Sequence, residues 1–234
     1  MGLPEVLIFT ITYAGKDYVL DKFLENVKGF TYPNTRHIFI DNSNDGGAYH
    51  KKLLSMGLEA YHTERGNNSR EALARSQNFA RKIALDEGYE FILSLESDVL
   101  PPKDVIQGLM KHGLPIVSAR YDIGDKAKGI RLPCITVLKY NEDIRAYGTR
   151  TLYAEELPDY INKGLKQVSS SGVGCTLMTR DILAHKPFYY IPELKGHSDI
   201  FFYNELFRAK IPIYVDTDIY CEHDNVPWST VKDR

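Results

Sequence analysis

The chain carries the stretch Phe91-Ile92-Leu93-Ser94-Leu95-Glu96-Ser97-Asp98. Its first five residues are uncharged and mostly apolar, which predicts a buried strand of a parallel sheet. Two carboxylates spaced i, i+2 directly after such a strand point out of the sheet edge. Carboxylate oxygens are ligands that hard cations such as Mg²⁺ and Mn²⁺ prefer, together with substrate phosphates. The stretch therefore predicts a site for a divalent metal and a phosphorylated substrate.

Glu96 and Asp98 also allow a structural explanation. Pro101-Pro102 follows them, and proline is well suited to the first turn of a helix, where its missing N–H costs nothing. Carboxylates just before a helix are favoured by the helix dipole. On these residues alone, a helix-capping role and a metal site both stay open.

Upstream of the acidic pair, strand and helix signals alternate. Ser69 is expected to cap a long helix that runs to about Glu87, with Gly88 as its stop signal. Strands separated by helices predict an α/β fold whose sheet is mostly parallel, with right-handed crossovers. The predicted strands are Val6–Ile11, His37–Ile40, Leu58–Tyr61 and Phe91–Leu95, and further helices are expected over Val19–Val27 and from about Ala48.

The loops that follow these strands lie at Tyr13, at Asp41 and at Glu96–Asp98. The carboxyl ends of parallel strands meet at one edge of the sheet, and ligands of open α/β sheets bind along that edge. The three loops are therefore expected to converge on one site.

The second half of the chain is less regular. A charged, Gly-containing loop over Asp122–Arg131 is expected to be either a lid or a solvated turn. The predicted strands are Ile116–Tyr121, Pro133–Leu138, Cys175–Met178 and Ile213–Val215, and a helix is expected from about Ser198 to Lys210.

Composition excludes several classes of function. The 234 residues carry a formal net charge of −2, so no global field recruits nucleic acid or an anionic membrane. No apolar run approaches the roughly 18 residues of a membrane span, and the first residues lack the features of a secretory signal. Cys134, Cys175 and Cys221 are widely spaced, form no zinc motif and suggest a reducing compartment. The sequence therefore predicts a cytoplasmic protein without bound nucleic acid or a membrane span.

Several motifs together resemble the GT-A-fold glycosyltransferases, in particular the large family 2-like group. Leu93–Asp98 resembles the metal-binding DXD element, and Asp41–Gly46 resembles the second-strand loop whose acidic residue contacts the nucleotide base. Thr12-Tyr13 falls where the first-strand loop packs against that base, and Arg75–Asn78 resembles the helical segment before the DXD strand.

The resemblance continues in the second half and spans roughly residues 5–225. Ser171–Cys175 is similar to a small-residue loop on the acceptor side, and His197-Ser198-Asp199 resembles the motif that supplies the catalytic base of inverting members. Val215–Asp218, with His223 after it, resembles the late segment whose histidine completes the metal shell in some of these enzymes.

The resemblance implies a GT-A fold, a Rossmann-like and mostly parallel sheet with helices on both faces. It implies one domain over residues 1–234, with residues of about 1–100 binding the nucleotide-sugar and about 101–234 binding the acceptor. The implied cofactor is Mn²⁺ or Mg²⁺, held by Asp98, His223 and Glu96, and the implied base is Asp199. The implied donor-binding residues are Thr12, Tyr13, Asp41, Arg75, Glu96, Ser97 and Asp98.

Two positions depart from the family pattern. Glu96 stands where the first acid is commonly Asp, and Ser198 stands where Glu commonly precedes the base. Purely structural roles also stay open: Asp199 as a helix N-cap, Asp41 as an Asx-turn residue, and Arg75 as an exposed charge on a helix. His223 could likewise be an ordinary surface histidine.

The function implied is transfer of a sugar, as a hexosyl group, from a nucleotide-diphosphate sugar to a hydroxyl acceptor. A UDP-sugar and an inverting reaction are favoured, and a glycan, a lipid-linked sugar and a protein all stay open as acceptor. The alternatives are a non-catalytic glycan- or nucleotide-binding module and a sugar-phosphate nucleotidyltransferase. Residues 12–16 lack the Gly-rich, Arg-containing loop expected of the latter, and no Gly-x-Gly-x-x-Gly follows the first strand as a dinucleotide enzyme would require.

Overall fold

The first hundred residues alternate strands and helices, as their hydrophobic pattern predicts. The structure is a computed structural model that describes residues 2–124, 131–141, 146–194 and 196–224. A 3-10 turn at Ala14–Lys16 leads from the first strand into the first helix. The elements are β1 (Val6–Thr12), α1 (Asp17–Lys28), β2 (Thr35–Asp41), α2 (Ala48–Ser55), β3 (Glu59–His62), α3 (Ser69–Asp86) and β4 (Phe91–Leu95).

The second half adds shorter and more polar elements. They are β5 (Val99–Leu100), α4 (Val105–Met110), β6 (Ile116–Ile123), β7 (Leu132–Pro133), β8 (Ile135–Asn141), β9 (Ala146–Thr151), α5 (Leu157–Tyr160), β10 (Leu165–Val168), β11 (Ser170–Ser171), β12 (Cys175–Thr179), α6 (Arg180–His185), α7 (Ser198–Arg208) and β13 (Ile213–His223). The sequence pattern did not predict β9, β10, α5 or α6.

One sheet runs through both halves in the order β10-β13-β6-β12-β4-β1-β2-β3. Strands β1 to β4, β6 and β13 point in one direction, while β12 and β10 run against their neighbours. A second, three-stranded sheet has the order β11-β8-β9. The expectation of a mostly parallel central sheet is confirmed.

Helices cover both faces of the central sheet because its strands are apolar on both sides. Leu7 and Phe9 of β1 pack in one core with residues of α3, α6 and α7. Val6 and Ile8 pack in a second core with residues of α1, α2 and α4. Successive side chains of a strand point to opposite faces, so β1 supplies both cores.

Two expected helix starts are wrong. The N-cap of α3 is Asn68 rather than Ser69, because the Asn68 side chain accepts hydrogen bonds from the amides of Arg70 and Glu71. Helix α4 begins at Val105 rather than at Pro101-Pro102. The residues just before the two prolines, Val99–Leu100, are extended as β5, which pairs with the end of β13. Glu96 and Asp98 therefore precede a strand and do not cap a helix.

The last strand is longer than expected, since β13 continues past Val215 to His223 with a shift of register between Asp216 and Tyr220. Most of the expected lid, at residues 125–130, lies outside the described residues. Among the helices that the structure describes, none is long and apolar enough to cross a bilayer.

Candidate active site

A cavity of about 470 Å³ opens at the carboxyl ends of β1 and β4. Its volume falls in the range of small-molecule sites, roughly 300–1,000 Å³. The loop before β12, the first turn of α7 and the end of β13 close its other sides. The polar residues that line it include Thr12, Tyr13, Lys16, Asn42, Arg65, Gln77, Glu96, Ser97, Asp98, His197, Asp199 and His223. The strand ends therefore converge as expected.

Glu96, Asp98 and His223 form a cluster on the wall of this cavity. Each offers one ligand atom, and these atoms lie within 4.8 Å of one another. The pairing of β5 with β13 sets His223 opposite Val99, and the Asp224 amide donates to the Asp98 carbonyl at 2.8 Å. Residues more than a hundred positions apart are thereby held together by backbone pairing.

The hydrogen bonds of His223 orient its ring toward the carboxylates. Its Nδ1 lies 2.9 Å from the Asp122 carbonyl oxygen, which can only accept, so Nδ1 carries the proton. Its Nε2 lies 3.3 Å from Asp98 Oδ2. In the neutral ring Nε2 therefore keeps a free lone pair directed at the cluster, an arrangement typical of histidines that bind metals.

The pKa values of the two carboxylates of the cluster are shifted in opposite directions. Burial, and then the neighbouring charge of Asp98, raises the pKa of Glu96 to about 7. Burial also acts against the charge of Asp98, but the contacts with His223 and Lys16 outweigh it and lower the pKa of Asp98. Of the two carboxylates, Asp98 is thus the one that loses its proton more readily.

Lys16 is a site residue that the sequence reasoning did not identify. Its Nζ forms an ion pair with Asp98 Oδ2, and its side chain is 25% exposed in the cavity. The neighbouring Asp98 raises the pKa of Lys16 against the effect of burial. The available signal was a basic residue three positions after Tyr13, in the same strand-to-helix turn.

Tyr13 and Arg65 form an aromatic and cationic surface on another wall of the cavity. The Arg65 guanidinium carbon lies 5.3 Å from the centre of the Tyr13 ring, within the range of a cation–π contact. The Tyr13 ring folds back over Gly15, where a Cβ atom would come within 2.3 Å of Tyr13 Cε2. Only glycine leaves room for this ring. Arg65 carries no signal in the sequence beyond its place after β3.

Asp41 and Arg75, both expected to contact the donor, do not line the cavity. Asp41 is fully buried, and its carboxylate accepts hydrogen bonds from the amide and hydroxyl of Ser43 and contacts His62 Nδ1 at 3.0 Å. Arg75 is half-exposed and pairs with Glu71 on its own helix. Asn42, next to Asp41, lines the cavity instead.

Asp199 lies in the first turn of α7 and lines the cavity together with His197. The N-cap position is occupied by His197, so Asp199 is not the cap residue, although its Oδ1 accepts the Ile200 amide at 2.8 Å. Burial raises the pKa of Asp199, and the nearby His197 opposes that shift. The turn is held against α3 by the hydrogen bond from Ser198 Oγ to Gln77 Oε1 at 2.5 Å.

The small-residue loop before β12 lies against Tyr121 of β6. A Cβ atom on Gly172 would come 1.7 Å from the Tyr121 hydroxyl, and the Gly174 amide donates to that hydroxyl at 3.2 Å. Glycine is thus required for the loop to approach β6 and form one wall of the cavity.

No protein-family model matches the chain, and no curated protein matches it in sequence. Solved structures do resemble its fold. GalNAc-T7, solved with UDP, GalNAc and Mn²⁺, has a TM-score of 0.62 at 11% identity, over 98% of this chain and 46% of that one. Staphylococcus aureus TarS 1–349, in complex with UDP-GlcNAc, has a TM-score of 0.57 at 15% identity, over 95% of this chain and 60% of that one.

Both neighbours are GT-A-fold glycosyltransferases, and this chain has a GT-A-like fold. It spans about half the length of these two proteins. The fold expected from the sequence motifs is confirmed.

Proposed function

We propose that the protein is a metal-dependent glycosyltransferase that moves a hexosyl group from a nucleotide-diphosphate sugar, preferably a UDP-sugar, to a hydroxyl acceptor. The observation that carries this proposal is the cluster of Glu96, Asp98 and His223 on the wall of a cavity at the carboxyl edge of a GT-A-like sheet. Two structural neighbours support it, since one was solved with UDP, GalNAc and Mn²⁺ and the other with UDP-GlcNAc.

The cluster fits a divalent metal by its chemistry. Two carboxylates and one imidazole offer oxygen and nitrogen ligands, a set that suits Mn²⁺ and, through the carboxylates, Mg²⁺. The proton of His223 sits on the nitrogen that faces Asp122, so the other nitrogen can bind. When bound, such an ion neutralises charge that develops on a leaving diphosphate.

The surface around Tyr13 and Arg65 is suited to the nucleoside of the donor. An aromatic ring offers a stacking surface to a base, and Arg65 can extend that surface by its own planar face. Thr12 and Asn42 line the same part of the cavity and can hydrogen-bond to the base or ribose. In this arrangement the diphosphate would extend from Tyr13 toward Asp98.

Asp199 would accept the proton of the acceptor hydroxyl in an inverting reaction. Its pKa is raised by burial, which moves it toward the working pH at which a general base is most effective. His197 lies beside it on the cavity wall and would orient the acceptor. Gln77 and Ser198 would hold the turn that carries the base.

The experiment measures hydrolysis of a panel of UDP- and GDP-sugars with and without Mn²⁺, for the wild type and Asp98→Asn. We expect Mn²⁺-dependent turnover in the wild type and a loss of at least about 100-fold in the variant, the size typical of removing a group that stabilises transition-state charge. Binding of Mn²⁺, followed by the electron paramagnetic resonance signal of the free ion, should weaken in parallel.

Glu222→Gln is the matched control, since Glu222 neighbours His223 in β13 but is exposed and does not line the cavity. This variant should keep both turnover and Mn²⁺ binding. Full retention of both by Asp98→Asn would refute the proposal.

A further inference from the structure

Lys16 and Lys22 both form ion pairs near the site, but the charge of Lys16 lies inside the cavity and that of Lys22 lies on the surface. It ends the 3-10 turn Ala14–Lys16, lines the cavity and pairs with a carboxylate that is only 2% exposed. Lys22, in the following helix α1, pairs with Glu222 and Asp224 on the exposed surface. The ammonium group of Lys16 therefore lies inside the cavity, where a bound substrate would contact it.

Lys16 pairs with the same oxygen atom that faces the metal-ligating nitrogen. Asp98 Oδ2 contacts Lys16 Nζ and lies 3.3 Å from His223 Nε2. A divalent cation bound to Asp98 would stand within a few ångströms of the ammonium group, and two like charges at that distance repel. Lys16 and a metal ion therefore compete for Asp98.

The charges of the cluster indicate what a displaced Lys16 would meet. When Glu96 and Asp98 are ionised and His223 is neutral, the cluster and Lys16 together carry one net negative charge, which repels a diphosphate. A divalent cation bound to Asp98 changes this net charge to positive, and the displaced Lys16 stays close to the metal. The metal ion and the ammonium group of Lys16 could then both contact the diphosphate.

The turn that carries Lys16 also carries Tyr13. Gly15 lets the Tyr13 ring fold over the turn, and Tyr13 and Lys16 both line the cavity. An aromatic surface and a flexible ammonium group on one short turn match the two ends of a nucleoside diphosphate, its base and its phosphates.

We propose that Lys16 binds the diphosphate of the donor and that it exchanges between Asp98, as the structure has it, and the phosphates when metal takes its place on Asp98. The inference rests on the proposed function for the nature of the ligand. Lys16 thereby weakens metal binding and strengthens diphosphate binding. A lysine that serves only as a permanent counter-ion of Asp98 would also weaken metal binding, but it would not strengthen diphosphate binding.

Three calorimetric titrations test this: Mn²⁺ alone, UDP at saturating Mn²⁺, and uridine at saturating Mn²⁺. For Lys16→Met we expect Mn²⁺ to bind about tenfold more tightly, because Asp98 has lost its competing cation. UDP should bind about tenfold more weakly, because a charge-assisted contact to phosphate is gone. The affinity for uridine should not change, which assigns the loss to the phosphates.

Lys22→Met is the matched control, an ion-paired lysine of the next helix, and it should leave all three affinities at the wild-type values. Lys16→Arg keeps the positive charge and should restore much of the UDP affinity, which separates the effect of charge from misfolding. Circular dichroism melting verifies that each variant folds.

If Lys16→Met binds UDP as tightly as the wild type, Lys16 is only a counter-ion of Asp98, and the inference fails while the proposed function stands. If Lys16→Met binds Mn²⁺ no more tightly than the wild type, Lys16 does not compete with the metal, and the inference fails as well. If the wild type binds Mn²⁺ but no UDP, the proposed function and the phosphate role of Lys16 fail together.

Discussion

Glu96 and Asp98 are two residues apart, yet their pKa values shift in opposite directions. The difference comes from neighbours that are distant in sequence, since His223 and Lys16 both contact Asp98 Oδ2. The sequence could predict that the two acids lie at the sheet edge. It could not predict the opposite shifts of their pKa values, because these depend on contacts across the whole chain.

His37 allows a prediction on pH dependence. Burial lowers the pKa of His37 to about 3, and its Nε2 lies 2.8 Å from Thr10 Oγ1. A histidine in the unfolded chain has a pKa of about 6.5, so between these values the unfolded chain binds more protons. The free energy of unfolding should be at full value above about pH 6.5 and fall as the pH drops, by on the order of 3 kcal/mol from His37 by about pH 4.

Urea unfolding at a series of pH values measures this for the wild type and for His37→Gln, whose amide does not titrate. The variant should lose much less stability between about pH 6.5 and pH 4. The exposed His185→Gln serves as control and should follow the wild type. An unchanged pH profile in His37→Gln would contradict the prediction.

At the scale of elements, the sequence predicted best where strands are buried on both faces. β1 and β4 are nearly continuous apolar runs, and each forms close to its expected bounds. β9 and β10 were missed because they are short strands with polar residues, whose pairing depends on neighbours rather than on their own pattern. β5 was missed for a similar reason, since it is two residues long and pairs with the distant end of β13.

The contact between the loop before β12 and β6 gives a second prediction. A Cβ on Gly172 would come 1.7 Å from the Tyr121 hydroxyl and 3.0 Å from Cys134 Sγ. Tyr121 is buried and cannot move without repacking β6. We expect Gly172→Ala to lower the free energy of unfolding by about 1–3 kcal/mol, as overpacking commonly does. Urea unfolding measures the loss.

Gly148→Ala provides the comparison, since a Cβ there meets nothing within 4 Å. That variant should keep the wild-type stability within about 0.5 kcal/mol. Equal stabilities of the two variants would mean that the loop moves freely away from Tyr121.

At the scale of the whole molecule, the sequence predicted that the strand ends converge, but it did not predict which side chains line the cavity. Parallel strands share one edge, which places Tyr13 and Asp98 around a common cavity. Which neighbouring side chains turn inward is decided by tertiary contacts. Asp41 is held away from the cavity by Ser43 and His62, while Arg65 reaches it over Tyr13.

Metal and nucleotide should stabilise the molecule cooperatively. Both would occupy one cavity, and a cation on Asp98 would offset the negative charge that opposes a diphosphate, so each ligand should raise the affinity for the other. The melting temperature with Mn²⁺ and UDP together should rise by more than the sum of the separate rises. A ligand at 100 times its Kd stabilises the native state by about 2.7 kcal/mol.

A thermal-shift assay with each ligand alone and with both measures this coupling, and Asp98→Asn should abolish it. Strictly additive shifts of the melting temperature in the wild type would show that binding of one ligand does not affect binding of the other.

The position of β13 has a consequence for how the protein is made. The strand inserts between β10 and β6, and it carries His223 to carboxylates that leave the ribosome more than a hundred residues earlier. A nascent chain that ends before residue 213 can form the β3-β2-β1-β4 portion from local crossovers. It leaves one side of β6 unpaired, and Glu96 and Asp98 lack the imidazole of His223. Pairing between strands that lie far apart in sequence forms slowly. The unpaired edge of β6 is therefore the part of the nascent chain that a chaperone would need to shield during synthesis.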